Sequence, residues 1–359
     1  MNPKALSFSD WPEIDQIAWT TAIKVGDRFD GRGPVAHWSL ASRNSIGYAY
    51  GRWLGFIERF YPELHSESPG SRITKKQVQD YIYHLQSEVN AATVYIYLDH
   101  LLCAVQAMFP SNDWGWFKSI LRHLPRDIRP RVKQHRLVDS DRLITLGIDL
   151  MDSSEVNINR DKDANPVKGR YLLDEMIQYR DGLLVALLAI RPIRRRTLSL
   201  IRIDKQLQKV GHHYHLVFSS ADTKNRKSLE YALPTLLTSY LDRYVKTYRG
   251  LIPGSEKHDS LWASAKGNPL SSGSIYRRIM KRTTIAFGVG ISPHLFRDCA
   301  ATTLATYCPE QVLVGAGLLG HSDLRAIHNH YIHAQTMKAG KAHQNTIASL
   351  RRATSRGSK

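Results

Sequence analysis

Between residues 36 and 125, apolar and aromatic side chains return every three or four positions, the spacing that places them on one face of an α-helix. Tyr48, Tyr50, Trp53, Leu54, Phe56, Ile57 and Phe60 make one such face. Val78, Tyr81, Ile82 and Leu85, opened by Thr74, make a second, and Tyr95, Leu98, Leu101, Leu102 and Val105, opened by Thr93, a third. A fourth runs from about Asp113 towards Leu124. Residues 35–125 are therefore expected to form a small all-helical domain, with the aromatic stripe in its core. The first 34 residues are mixed and punctuated by glycine, and no role can be read from them.

Beyond residue 138 the pattern changes. Val138-Asp139-Ser140-Asp141 reads as a helix start, 153–170 as a polar loop, and about 171–190 as a long helix. Apolar extended runs at 198–203, 213–218 and 228–233, with a basic turn over 221–226 between the last two, predict a small antiparallel sheet. Helices resume over 236–248, 272–287, 293–307 and 309–315, with a last group over 323–333. The second domain, assigned to 138–345, is thus α+β and mostly helical, and 346–359 form a basic C-terminal tail. Residues 122–136 hold six Lys or Arg against one acid, and Pro125 and Pro130 discourage a continuous helix. A basic linker over 126–137 follows, whose Arg126, Arg129, Arg131 and Lys133 suit a phosphate backbone.

Charge narrows the class of partner. Across 359 residues, 50 Lys and Arg against 32 Asp and Glu give a net +18, clustered rather than spread, which implies a polyanion. Cys103, Cys299 and Cys308 have neither metal-ligand spacing nor the look of a disulfide framework, so a reducing cytoplasm is expected. No apolar segment follows Met1-Asn2-Pro3-Lys4, and no run approaches 18 uninterrupted apolar residues. A soluble protein with no membrane partner is expected.

Several candidate motifs fail on their own chemistry. Asp161-Lys162-Asp163-Ala164-Asn165 imitates the opening of a calcium loop, but Pro166 stands where glycine is needed and Leu172 where a bidentate Glu is needed. Gly315-Ala316-Gly317-Leu318-Leu319-Gly320 is formally a dinucleotide fingerprint, yet no Asp or Glu follows Asp323 to hold a ribose. His328, His330 and His333 surround Tyr331 without a nearby carboxylate or thiolate, a poor metal set.

Other residues fit phosphate chemistry. Arg191-Pro192-Ile193-Arg194-Arg195-Arg196 carries four arginines without an acid, directly after an apolar helix. One inward guanidinium can fork onto two phosphate oxygens, while the others, among them Arg191, Arg195 and Arg196, meet a DNA backbone. Ser292-Pro293 reads as N-cap and first helical position, with His294 and Arg297 then on one face of the first turn. Lys224, at the predicted hairpin tip, carries a mobile ammonium able to donate a proton. His321 and Tyr331 follow, the latter a phenol that needs neighbouring cations to become a nucleophile near neutral pH.

In this order the residues resemble the C-terminal motifs of the tyrosine recombinases, or phage-integrase family. The resemblance extends in organisation over about 36–345 and is specific only in the second domain. It implies a helical core-binding domain and a catalytic domain whose active set is Arg194, Lys224, His294, Arg297, His321 and the nucleophile Tyr331. Arg191 is the alternative to Arg194. Thr197 stands where many members have Glu, Phe296 where Leu is usual, and Tyr331 lies one residue further from His321 than in many members. The implied reaction cuts and rejoins double-stranded DNA through a 3′-phosphotyrosine, without ATP, metal or other cofactor. It also implies a tetramer on two DNA sites, with accessory DNA-bending proteins left open. A relaxing topoisomerase of the 3′-linked tyrosine kind and a non-catalytic architectural DNA-binding protein are the competing readings. The sequence does not separate integration from excision, nor name the DNA target.

Overall fold

The computed structural model describes residues 4–27, 29, 31–65, 67–124, 136–164, 169–223, 228–308 and 344; side chains of 161–171 are not described. The chain divides into two compact units, Met1–Arg131 and Val132–Lys359.

The first unit is built of helices α1 (Glu13–Ile23), α2 (Leu40–Phe60), α3 (Lys75–Glu88), α4 (Ala91–Met108) and α5 (Gly115–His123). The apolar faces read from the sequence fill its core: Trp53, Leu54 and Ile57 of α2, Val78, Tyr81 and Leu85 of α3, and Leu98, Leu101 and Val105 of α4 are buried. α4 begins earlier than Thr93, because the Asn90 side chain is the cap and accepts from the Thr93 backbone N–H at 3.0 Å. By length and composition α4 is apolar enough to span a membrane, but its buried residues belong to this core.

The N-terminal segment, unreadable in the sequence, is part of the same core. Residues from Lys4 to Trp11 lie along α2, where Leu6 donates its N–H to the Gly51 carbonyl at 3.0 Å. A Cβ at Gly51 would collide with the Leu6 carbonyl oxygen, and one at Gly55 with that of Lys4, so only glycine lets the strap approach so closely. Asp15 of α1 is fully buried, where it accepts from Arg72 Nη2 at 2.5 Å and from the Tyr50 hydroxyl. Burial, and then the Asp15 charge, push the Tyr50 phenol well above its usual range.

The second unit opens with two long helices, α6 (Ser140–Ala164) and α7 (Gly169–Ile190). The predicted polar loop over 153–170 is corrected by α6, which runs on to Ala164. Leu143, Gly147, Met151, Ser154 and Ile158 keep a buried stripe through the polar sequence. Ser154 Oγ returns its proton to the Leu150 carbonyl at 2.9 Å, which satisfies the buried hydroxyl inside the helix.

The run 198–203 is not a strand. α8 (Arg195–Ser199) occupies its start, and Leu198 and Ile201, three apart, are both buried as one helical turn places them. The chain then meets 259–261, with Leu261 N–H donating to Ile201 O at 2.9 Å and Trp262 Nε1 to Leu198 O at 2.8 Å. The sheet is β1 (Leu207–Val210), β2 (His213–Phe218) and β3 (Leu229–Ala232), antiparallel in that order, with Leu207 opposite Leu216 and Phe218 opposite Leu229. Tyr214, Leu216 and Phe218 alternate into the core, the period of two expected of a one-sided sheet.

The region 236–248 is helical but uneven, a 3₁₀ turn leading to α9 (Thr238–Arg243) and then a π-turn over Tyr244–Tyr248. α10 (Ser272–Phe287) has the predicted bounds, with Ser271 accepting from the Ser274 N–H and Gly288 ending it at φ 70°. α11 (Leu295–Tyr307) starts two residues later than Ser292-Pro293 suggested. His294 is its N-cap, without a side-chain cap bond, and Ser292 supplies its carbonyl to the Leu295 N–H at 2.8 Å. The predicted elements over 309–315 and 323–333 lie outside the described residues.

Candidate active site

The arginine-rich segment is set by the end of α7. Arg191 still donates its N–H to Leu187 O at 2.8 Å, but Pro192 has no N–H and stops the helix. Ile193 is buried, and Arg194 takes an extended backbone as the N-cap of α8, so the chain turns sharply between two buried anchors, Ile193 and Leu198. The second segment is fixed from α10: the buried Thr283 hydroxyl accepts from the Ile291 N–H at 2.9 Å, immediately before Ser292.

These two segments and α10 enclose a cavity of about 390 Å³. Arg194, Arg195 and Arg297 supply its cationic side, His294 an imidazole beside them, and Ile193, Pro293 and the ring of Tyr276 its apolar side, with Ser292 between. Arg297 is 6% exposed, and its Nη1 donates to the Pro192 carbonyl at 2.7 Å. Burial, and next the like charge of Arg194, pull the Arg297 guanidinium below its usual value. An arginine so lowered is still protonated at neutral pH. Two guanidiniums that repel one another at the mouth of a helix are a site prepared for an anion.

The structure thus brings together Arg194, His294 and Arg297. Arg191 is directed elsewhere: its Nη2 donates to Ala232 O at 3.0 Å, its Cζ lies 5.7 Å from the Tyr231 ring centroid, and it does not line the cavity. Arg196 is exposed on α8 and does not line the cavity. Lys224, His321 and Tyr331 lie outside the described residues, as do Arg126, Arg129, Arg131 and Lys133 of the linker. Among the described residues, no group of three His, Cys, Asp or Glu side chains is gathered to hold a metal ion.

Three contributors were not visible in the sequence. Pro192 acts through its carbonyl, which no motif reports. Tyr276 sits at the edge of the cavity from α10, with Arg195 Cζ 5.5 Å from its ring centroid. Tyr231 of β3 is half-buried; burial pushes its phenol up, against the pull of Arg297, Arg191 and Arg194. The alternation of β3 could have placed Tyr231 on one face, but not beside arginines that are distant in sequence.

Comparison with known proteins bears on this unit. Residues 170–338 match the phage integrase family. Tyrosine recombinase XerD of Pseudomonas aeruginosa is 35% identical over 86 residues, which is 24% of this chain and 28% of that relative's length. The fold is similar to that of XerH site-specific recombinase bound to difH substrate in a pre-cleavage complex. There the TM-score is 0.57 at 16% identity, covering 94% of this chain and 84% of that one. It is similar also to XerH in a post-cleavage complex with a palindromic difH substrate, with a TM-score of 0.56 at 14% identity over 95% and 98% of the two chains.

Proposed function

From the match of residues 170–338 to the phage integrase family, we propose that this chain is a site-specific DNA recombinase that cuts and rejoins strands through a 3′-phosphotyrosine. The observation that carries this reading is the convergence of Arg194, His294 and Arg297 on one cavity within the matched residues.

Arg194 and Arg297 hold the non-bridging oxygens of the scissile phosphate and stabilise the charge of its pentavalent transition state. The Tyr331 hydroxyl attacks the phosphorus, forming the 3′-phosphotyrosyl bond as the bond to the 5′-oxygen breaks. Lys224 gives that oxygen its proton, and His294 assists proton transfer on the attacking side. His321 supports the phosphate or the tyrosine by hydrogen bonding. Attack by a 5′-hydroxyl of another strand reverses the step, so the phosphodiester energy is kept and neither ATP nor a metal is needed. The helical unit and the basic linker hold the duplex through its backbone. A tetramer on two DNA sites, in the cytoplasm, is the assembly this chemistry requires for exchange.

The test is trapping on nicked suicide duplexes drawn from a pool of host and element-end sequences, read on a denaturing gel. A covalent band in wild type that is absent in Tyr331→Phe supports the proposal. A band that survives in Tyr331→Phe means another tyrosine attacks. Tight DNA binding without a band in either protein would move the reading to an architectural protein. Relaxation of supercoils without exchange between two DNAs would move it to a topoisomerase.

A further inference from the structure

The strand-transfer reading gives one cation of the cavity a general place on the DNA backbone but nothing that holds it there. Arg195 is exposed at the first position of α8 and lines the cavity beside Arg194. No carboxylate among the described residues pairs with it, whereas Arg180, Arg278 and Arg282 of the same unit all share Asp181. Its contact is instead aromatic: Cζ lies 5.5 Å from the centroid of the Tyr276 ring. Tyr276 reaches the same cavity from α10. A guanidinium resting on a ring face keeps its N–H donors in its own plane, pointing outward, and loses the freedom of an unheld side chain. Ile193 and Pro293 continue the apolar wall, so nothing in it competes for those donors.

Resting on that reading, we infer that Tyr276 is a positioning residue. It holds Arg195 against the cavity wall, where the guanidinium takes a backbone phosphate of the bound duplex.

The experiment uses the full chain and a short duplex of arbitrary sequence, since a phosphate contact needs no particular bases. Affinity is measured over a range of NaCl for wild type, Arg195→Gln, Tyr276→Ala, Tyr276→Phe and the Arg195→Gln/Tyr276→Ala double variant. Both residues are exposed, and thermal melts verify that each variant folds. Loss of one phosphate contact lowers the slope of log affinity on log salt by about 0.9. Arg195→Gln is expected to show that drop, Tyr276→Ala most of it, and Tyr276→Phe none. The double variant should bind no more weakly than Arg195→Gln alone. Additive losses would mean that Tyr276 meets DNA by itself, and would overturn the inference, as would a wild-type slope in either Arg195→Gln or Tyr276→Ala. Failure of the wild type to bind duplex at low salt would instead remove the strand-transfer reading itself.

Discussion

Arg297 donates from Nη1 to the carbonyl oxygen of Pro192 at 2.7 Å, across 105 residues of sequence. That bond ties the start of α11 to the break between α7 and α8, and so holds two cation-bearing segments in register. It depends on the planar guanidinium: one nitrogen is committed to the carbonyl, and the same side chain lines the cavity.

Arg297→Lys keeps the charge but cannot serve both partners. Covalent adduct formation on a nicked duplex, followed under single-turnover conditions, is expected to fall by about 10²–10³, the loss typical of one preorganised donor to a developing oxyanion. Arg194→Lys should behave alike. Arg191→Lys should fall only a few-fold, because Arg191 donates to Ala232 O outside the cavity. A large loss in Arg191→Lys with little in Arg194→Lys would reverse the choice between them.

α7, whose end sets the arginine-rich segment, is joined to α10 at Asp181, which is 1% exposed. Its carboxylate accepts from Arg180 Nη2 at 2.7 Å, and meets Arg278 Nη2 at 2.5 Å and Arg282 Nε at 3.0 Å, both from α10. Burial alone would push this carboxyl up, but the three guanidiniums outweigh it and hold it below the usual carboxylate range. A depressed folded value means that the stabilisation is complete above the unfolded value, about 3.9, and is lost as pH falls through the folded one. Asp181→Asn is therefore expected to lose about 3–5 kcal/mol at neutral pH, the penalty for stranding buried charge. In urea titrations across pH, the gap between variant and wild type should narrow below about pH 4. A gap that stayed constant down to the acid limit would show that Asp181 acts by shape alone.

Periodicity made most of the helices legible, because their buried faces are strongly apolar: Val78, Tyr81, Ile82 and Leu85 in α3 needed no tertiary knowledge. It failed where burial was achieved with small or polar residues. α6 runs through 153–164 on Ser154 and Ile158, which the surrounding charges disguised as a loop. The run at 198–203 looked extended because Leu198, Leu200, Ile201 and Ile203 are apolar on every side, yet a single helical turn begins it. Of the site, side-chain chemistry was legible in Arg194, His294 and Arg297, which meet at one cavity. The parts that hold them were not, since a backbone carbonyl at Pro192 and a ring from α10 are visible only after folding.

The first unit contains a buried ion pair between Asp15 and Arg72, which no periodicity or motif announces. Among the described residues, Arg72 Nε and Nη1 have no hydrogen-bond partner, so Asp15 carries most of the compensation for that buried charge. Asp15→Ala should cost about 3–5 kcal/mol, far more than the usual surface substitution. The paired change Asp15→Leu with Arg72→Met should recover most of it, since apolar replacement of both partners is often neutral. Chemical denaturation of the two variants measures the difference, and a double variant no better than Asp15→Ala would show that the pair is not the source of the loss.

Gly55 provides the sharpest test of the N-terminal strap. On an exposed helix, Gly→Ala gains about 0.8–1.0 kcal/mol from helix propensity. Here the added Cβ meets the carbonyl of Lys4, a backbone atom that cannot turn aside. The expected result is a net destabilisation of about 1–3 kcal/mol, the range for overpacking. Deleting residues 1–5 removes the colliding carbonyl while leaving Leu6 and its bond to Gly51 in place. In that shortened chain Gly55→Ala should become neutral or stabilising, because only the propensity gain is left. Urea midpoints for the four combinations form a double-mutant cycle, and the coupling between truncation and substitution is the quantity of interest. A coupling near zero would place the strap off α2 in solution, and the N-terminal residues would then be an arm rather than a part of the first unit's core.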